Sequence, residues 1–186
     1  MRTPRLVAGI AISALVLGAC APAAAPPPTP GAAAAPHQAL DKKVEKPKRL
    51  DAVVQINMSE MQFGNPQGEK NPTFKLPAGK TVGIHIHNEG QITHEVAIGR
   101  KVKTTAEGFE FEQSLTELVP MDLFFYYGAV KAEVEGATFG EIEVDAGVRD
   151  VWLRFAVPQE LKGEWELACF VKDHYEAGMK AKIVFE

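Results

Sequence analysis

The chain has 186 residues, of which 46 % are apolar and 24 % are charged. These are ordinary values for a globular protein of about one domain, so they exclude a wholly disordered or collagen-like chain. The 20 basic and 24 acidic residues give a formal net charge of −4. Because no excess of basic residues marks a surface for phosphate backbones, we expect no nucleic-acid partner.

The first 19 residues have the layout of an export signal. Arg2 and Arg5 give a positive start, and the apolar stretch Leu6–Ala19 follows. That stretch is too short to span a bilayer, which needs about 18–20 residues, but its length is typical of a signal peptide. It ends in Leu17-Gly18-Ala19-Cys20, which resembles the lipobox of bacterial lipoproteins. The resemblance implies that lipid is attached to Cys20; an ordinary cleaved signal with an incidental cysteine is the alternative.

The next segment predicts a tether rather than a fold. Residues 21–36 are almost wholly Ala and Pro, a composition that cannot bury a core and favours extended geometry. A charged continuation runs to the region of Leu50. We therefore predict three parts: a signal peptide at 1–19, a tether at 20–49 and a folded domain at 50–186.

The folded domain repeatedly shows the period-two alternation of β-strands. Val82, Ile84 and Ile86 alternate with Gly83, His85 and His87, and residues 151–157, 164–169 and 182–186 show similar patterns. Short strands with frequent turns and one apolar face predict an all-β sandwich. The alternation fades at about residues 99–145, where we expect an irregular insertion.

Two local features are open to more than one interpretation. The run Phe124-Phe125-Tyr126-Tyr127 inside the insertion is interpreted as additional core, with a partner-docking patch as the alternative. His85 and His87 share one strand face and could chelate a second metal ion. Because they lie opposite apolar neighbours, we expect them to face solvent instead.

Four donor side chains indicate a soft-metal site. Cys169, His174 and Met179 follow one another at intervals of five, and His94 lies on the apolar face of its own strand. If Cys20 carries lipid, Cys169 is the only free thiol of the mature chain, and a buried inert cysteine is the alternative interpretation. A trigonal set of two imidazoles and one thiolate with a distant thioether is the signature of type 1 copper. Zinc is disfavoured because a thioether is a poor zinc ligand.

These motifs resemble the cupredoxin family of small blue-copper proteins. The matching segments are residues 88–96 around His94 and residues 163–179, and the ligand spacing is similar to the auracyanin and rusticyanin branch and to exported copper-tolerance cupredoxins. The resemblance implies a Greek-key β-sandwich with one copper ion, held equatorially by His94, Cys169 and His174 and axially by Met179. Family members often have a proline before the loop histidine and Asn where Glu95 stands here, so outer-shell tuning is expected to differ.

The resemblance predicts a lipid-anchored electron carrier that is not an enzyme. Its copper would cycle between Cu(I) and Cu(II) in the periplasm or at the outer face of the cytoplasmic membrane. Its expected partners are membrane-associated redox proteins such as cytochromes or an oxidase. Multicopper oxidases connect their type 1 site to further copper through a histidine beside the cysteine, whereas Ala168 and Phe170 flank Cys169 here.

The alternative function is copper sequestration, delivery or tolerance in the periplasm. Such a protein is expected to carry additional soft donors beyond its main site. The sequence offers only a few residues of this kind, namely His85, His87, Met58 and Met61.

Overall fold

The computed structural model describes residues 43–186, so the signal peptide, most of the tether and Cys20 lie outside the described residues. The described chain is built from strands, with one short α-helix and one turn of 3-10 helix at Gln159–Leu161. The strands are β1 (Ala52–Ser59), β2 (Gln62–Gly64), β3 (Thr73–Leu76), β4 (Thr81–Asn88), β5 (His94–Thr104), β6 (Phe109–Ser114), β7 (Met121–Tyr127), β8 (Val130–Ala137), β9 (Ile142–Val144), β10 (Val151–Ala156), β11 (Gly163–Ala168) and β12 (Lys180–Phe185); the helix α1 is Leu115–Leu118. No helix within residues 43–186 is both long and apolar enough to cross a membrane.

The strands form two mixed sheets. The first has the order β2-β1-β4-β10-β7-β8, and the second has the order β3-β12-β11-β5-β6, with β9 paired to β5. The pairs β1–β4 and β3–β12 are parallel, whereas the other strand pairs are antiparallel. The prediction of an all-β sandwich is confirmed.

The main core lies where the apolar faces of both sheets meet. Val82, Ile84 and Ile86 of β4 are fully buried, as their alternation predicts, and they belong to one cluster with Leu167 and Ile183 of the second sheet. Burying such side chains contributes about 1.5–3 kcal/mol each. This main core therefore fixes the positions of the strand ends that carry the candidate site.

The expectation of an irregular insertion at 99–145 is wrong. Strand β5 runs on to Thr104 and pairs with β6, while β7 pairs with both β10 and β8. The segment therefore extends both sheets. The alternation was hidden because β8 is almost wholly exposed and so has no apolar face.

A second, smaller apolar cluster lies around Phe124 of β7. Phe124 is buried with Trp152 and with Val44, which belongs to the segment assigned above to the tether. The interpretation of the aromatic run as core is therefore confirmed at Phe124, whereas Tyr127 at the end of the run is 74 % exposed.

Candidate metal centre

His94 begins strand β5 and lies at one end of the core. It is fully buried and pairs across the sheet with Val144 of β9. Neither ring nitrogen of His94 has a hydrogen-bond partner among the described residues. A buried imidazole normally has a hydrogen-bond partner for at least one nitrogen. The lack of partners at His94 is explained if one of its nitrogens binds a metal ion through its lone pair.

The other three donors lie on the loop that joins β11 to β12. The loop closes on itself through backbone hydrogen bonds: Cys169 N–H donates to Met179 C=O at 3.2 Å, and Met179 N–H donates to His174 C=O at 3.0 Å. His174 N–H donates in turn to Val171 C=O at 3.0 Å. The spacing of five residues thus places Cys169, His174 and Met179 side by side.

The structure brings His94 to this loop, although the two are far apart in sequence. One donor atom each from His94, Cys169 and His174 lie within 4.8 Å of one another. Cys169 Sγ is 3.2 Å from His174 Nδ1, and the two imidazole rings are 5.0 Å apart between centroids. Cys169 and Met179 are fully buried, and His174 is 5 % exposed.

The electrostatics of the site favour the neutral forms of His94 and Cys169. Burial lowers the pKa of His94, and the neighbouring His174 lowers it further. Burial raises the pKa of the Cys169 thiol, an effect opposed by the Glu95 backbone N–H, which donates to Sγ at 3.3 Å. Because a metal ion requires the thiolate, its binding releases the thiol proton.

The residues present fit one type 1 copper ion. The three clustered donors are two imidazoles and one thiolate, and the loop brings a buried thioether to the same place. This is the donor set of type 1 copper rather than of structural zinc, which takes four strong ligands.

Aromatic packing holds the ligand loop against the sandwich. Phe170, next to Cys169, packs against Phe111 of β6 with ring centroids 4.9 Å apart. Tyr175, next to His174, packs against Phe109 at 5.0 Å and donates its hydroxyl to Glu166 at 2.8 Å. The residues that follow Cys169 and His174 are therefore anchored to neighbouring strands.

Asp173 stands immediately before His174, where cupredoxins often have a proline, and its backbone conformation takes over the role of stiffening the loop. Asp173 adopts a φ of +68°, a left-handed conformation that Asp and Asn tolerate better than most residues. Its backbone carbonyl accepts a hydrogen bond from Ala177 N–H at 3.2 Å. A tight turn at Asp173 thus stiffens the loop through its backbone.

Glu95, the second departure, is a buried carboxyl beside His94. Burial raises the pKa of Glu95 to about 7, with the nearby carboxylates of Glu141 and Glu143 adding to the rise. The group next to the first ligand is therefore partly neutral near pH 7, whereas an isolated glutamate would be ionised.

Asn88 is a further residue of the site that pattern reasoning missed. Its side chain is fully buried; Nδ2 donates to Ile92 C=O and to Val144 C=O, both at 2.8 Å, and Oδ1 accepts from Gly90 N–H at 2.9 Å. These bonds connect the end of β4 to the turn before His94 and to β9 opposite it. In the sequence, the only indication of this role is a polar residue at the end of an otherwise apolar strand face. The same pattern is equally typical of a simple turn.

His85 and His87 lie on the outer face of β4, away from this centre. They are half-buried rather than freely exposed, and His85 Nε2 is 2.8 Å from Asp150 Oδ1. Burial lowers the pKa of His85, and it lowers the pKa of His87 to about 4, so both rings are neutral at pH 7. The prediction that both histidines lie on the outer face of β4 is correct. The prediction that they are exposed to solvent is wrong, because both side chains are half-buried.

Comparison with known proteins shows which solved structures have a similar fold. No family model and no curated protein matches this sequence. Among solved structures, a multicopper oxidase from Campylobacter jejuni is similar at 14 % identity with a TM-score of 0.52, over 77 % of this chain and 32 % of that one. This chain therefore spans about a third of the length of the oxidase.

Solved structures of two smaller proteins, an auracyanin and a rusticyanin, are also similar. Reduced auracyanin from Roseiflexus castenholzii is 15 % identical with a TM-score of 0.42, over 73 % of this chain and 96 % of that one. Rusticyanin from Thiobacillus ferrooxidans is 18 % identical with a TM-score of 0.43, over 72 % of this chain and 77 % of that one. At these identities, shared activity does not follow from the similarity.

Proposed function

The chain has the cupredoxin fold. On that basis we propose that the protein is an exported type 1 copper protein that carries single electrons between redox partners. The observation that carries the proposal is the buried cluster of His94, Cys169 and His174, in which neither nitrogen of His94 has a hydrogen-bond partner within residues 43–186. Met179, brought to the same place by the loop, completes the donor set.

The protein's contribution is a rigid site that excludes water. Bound copper supplies a one-electron couple between Cu(I) and Cu(II). The chain holds its donors in one arrangement through the closed loop and the aromatic contacts of Phe170 and Tyr175. A site that moves little between oxidation states favours fast electron transfer, because little reorganisation is needed.

His174 is the proposed exit for the electron. It is 5 % exposed, whereas His94, Cys169 and Met179 are fully buried. Its imidazole is therefore the donor closest to solvent, and a partner that docks over it would lie nearest to a copper ion held by these residues.

An oxidase function is disfavoured by the neighbours of the ligand cysteine. Ala168 is fully buried, and Phe170 packs among the aromatic residues beside the loop. Neither can ligate a further copper ion, so the wiring that multicopper oxidases need is not available at these positions. We therefore place this chain among the carriers rather than the enzymes.

The proposed location is the periplasm or the outer face of the cytoplasmic membrane. Cys20 at the end of an apolar signal supports a lipid anchor, and the Ala/Pro-rich stretch supports a tether between anchor and domain. Confinement to the membrane raises the effective concentration near membrane-associated redox proteins, which we propose as partners.

A potentiometric titration of the copper-loaded full chain tests the function. The carrier is expected to pass through repeated oxidation and reduction at one midpoint potential without losing copper. The matched variant His94→Ala is expected to lose the reversible couple. Copper that leaves the protein on reduction, or passes readily to a competing chelator, would favour copper delivery instead.

A further inference from the structure

A second cluster of metal-ligating side chains lies on the outer face of the first sheet. His85 and His87 project from β4 on the face opposite to the core residues Ile84 and Ile86. Asp150 immediately precedes β10, whose Val151 pairs with Ile86, so antiparallel pairing brings its carboxylate to the two imidazoles. Donor atoms of these three residues all lie within 4.8 Å of one another.

The three side chains of this cluster do not have enough hydrogens to satisfy all of their acceptor atoms. His85 Nε2 lies 2.8 Å from Asp150 Oδ1 and 3.0 Å from His87 Nε2. A carboxylate only accepts hydrogen bonds, so His85 Nε2 must carry a hydrogen. His87 Nε2 must then accept that same hydrogen, and one proton serves two acceptors.

A metal ion would use all three donors at once. Ligands at about 2.0–2.1 Å from a tetrahedral zinc ion are separated by about 3.3 Å. The two separations from His85 Nε2, 2.8 Å and 3.0 Å, are a few tenths of an ångström shorter, and the donor atoms of His87 and Asp150 lie within 4.8 Å of each other. A small outward movement of the side chains would therefore create a binding position with two imidazole nitrogens and one carboxylate oxygen.

The surroundings hold the donors in place and leave a route from solvent. Trp152 stacks on His85 with ring centroids 4.0 Å apart and an interplanar angle of 12°. Gln55 Nε2 is 3.3 Å from His87 Nδ1 and donates to Asn57 Oδ1 at 2.8 Å. With both amides turned, Asn57 donates to Gln55, and the Gln55 carbonyl oxygen can accept the Nδ1 hydrogen of a metal-ligating ring. The side chains of His85 and Asp150 are 17 % and 21 % exposed, so an ion can reach them.

We propose that His85 Nε2, His87 Nε2 and Asp150 Oδ1 form a second metal site, which takes a borderline divalent cation such as Zn²⁺ and leaves a fourth position to water. Two imidazoles with one carboxylate suit Zn²⁺ and lack the sulfur that would select Cu(I). The site lies outside the core and shares no residue with the interior centre. The inference therefore stands whether or not the interior centre binds copper.

Zinc titration of a variant without the interior donors tests this site by itself. In the full chain carrying Cys169→Ala and His174→Ala, isothermal titration calorimetry with Zn²⁺ is expected to show one equivalent bound. Adding His87→Ala or Asp150→Asn is expected to weaken that binding at least tenfold. Glu133→Gln, which removes an exposed carboxylate from β8 of the same sheet, serves as the matched control and is expected to leave it unchanged.

The fluorescence of Trp152, measured with the second tryptophan removed by Trp165→Phe, gives an independent readout of position. Co²⁺ is expected to quench it in the same background, because the indole stacks on a ligand ring, and excess Zn²⁺ is expected to restore it. Absence of Zn²⁺ binding, or binding that neither His87→Ala nor Asp150→Asn weakens, would overturn the proposal. If His87→Ala fails to fold by circular dichroism, Asp150→Asn at the partly exposed position decides the question.

Discussion

Replacing Asn88 by alanine is expected to destabilise the metal-free protein by about 3 kcal/mol. The substitution removes three hydrogen bonds, to Gly90 N–H, Ile92 C=O and Val144 C=O. Each bond contributes about 0.5–1.5 kcal/mol net, and groups left unsatisfied in the interior cost more. Gly90 and Val144 are buried, whereas Ile92 is 39 % exposed and its carbonyl can reach water. These terms together give about 2–4 kcal/mol.

Urea unfolding of the metal-free full chain measures this cost. With a slope of about 2 kcal/mol per molar urea, a loss of about 3 kcal/mol lowers the midpoint by about 1.5 M. Asn65→Ala is the matched control, because the Asn65 side chain also makes three hydrogen bonds but makes them at the surface. We expect that control to cost less than about 1 kcal/mol. The reasoning would be refuted if Asn88→Ala cost no more than Asn65→Ala.

Three further changes test other parts of the account. Met179→Leu should leave copper bound and raise the midpoint potential, since a weak donor to Cu(II) is lost; a lowered potential in the same titration would contradict axial ligation. Cys20→Ser should shift the protein from the membrane to the soluble fraction on cell fractionation, and an unchanged membrane fraction would argue against the lipid anchor. Asp122→Ala should destabilise the fold by about 1–2 kcal/mol in urea, because Asp122 Oδ2 accepts from Arg154 Nε at 2.8 Å and Nη2 at 2.7 Å in a half-buried pair. The control Lys75→Ala breaks an exposed ion pair and should change the free energy of unfolding by almost nothing. If Lys75→Ala and Asp122→Ala destabilised the fold equally, burial of the Asp122–Arg154 pair would not be the cause of its effect.

Local patterns were sufficient to predict much of this fold. The alternation around Ile84 places it in the core because each strand has one face toward the other sheet. The five-residue spacing of Cys169, His174 and Met179 similarly predicted that they share one loop, since all three lie between consecutive strands. The approach of His94 to this loop requires only that the start of β5 and the end of β11 lie at the same side of the core, as they do because these two strands pair antiparallel.

The remaining features depend on contacts between residues that are distant in sequence. Nothing near His85 indicated that Asp150 lies beside it, because that contact is set by the register of β10 on β4. The burial of Val44 depends in the same way on Trp152 and Phe124, which supply its surroundings. Strand β8 escaped prediction since its two faces are both exposed, and alternation appears only where one face is buried.

The visible absorption spectrum of the Cu(II)-loaded full chain tests the central claim most directly. A buried Cys169 thiolate bound to copper predicts an intense thiolate-to-copper charge-transfer band, and Cys169→Ala should abolish it while His37→Ala, outside the described residues, leaves it unchanged. A wild-type protein that binds Cu(II) without colour, or a band that survives Cys169→Ala, would contradict the type 1 copper site.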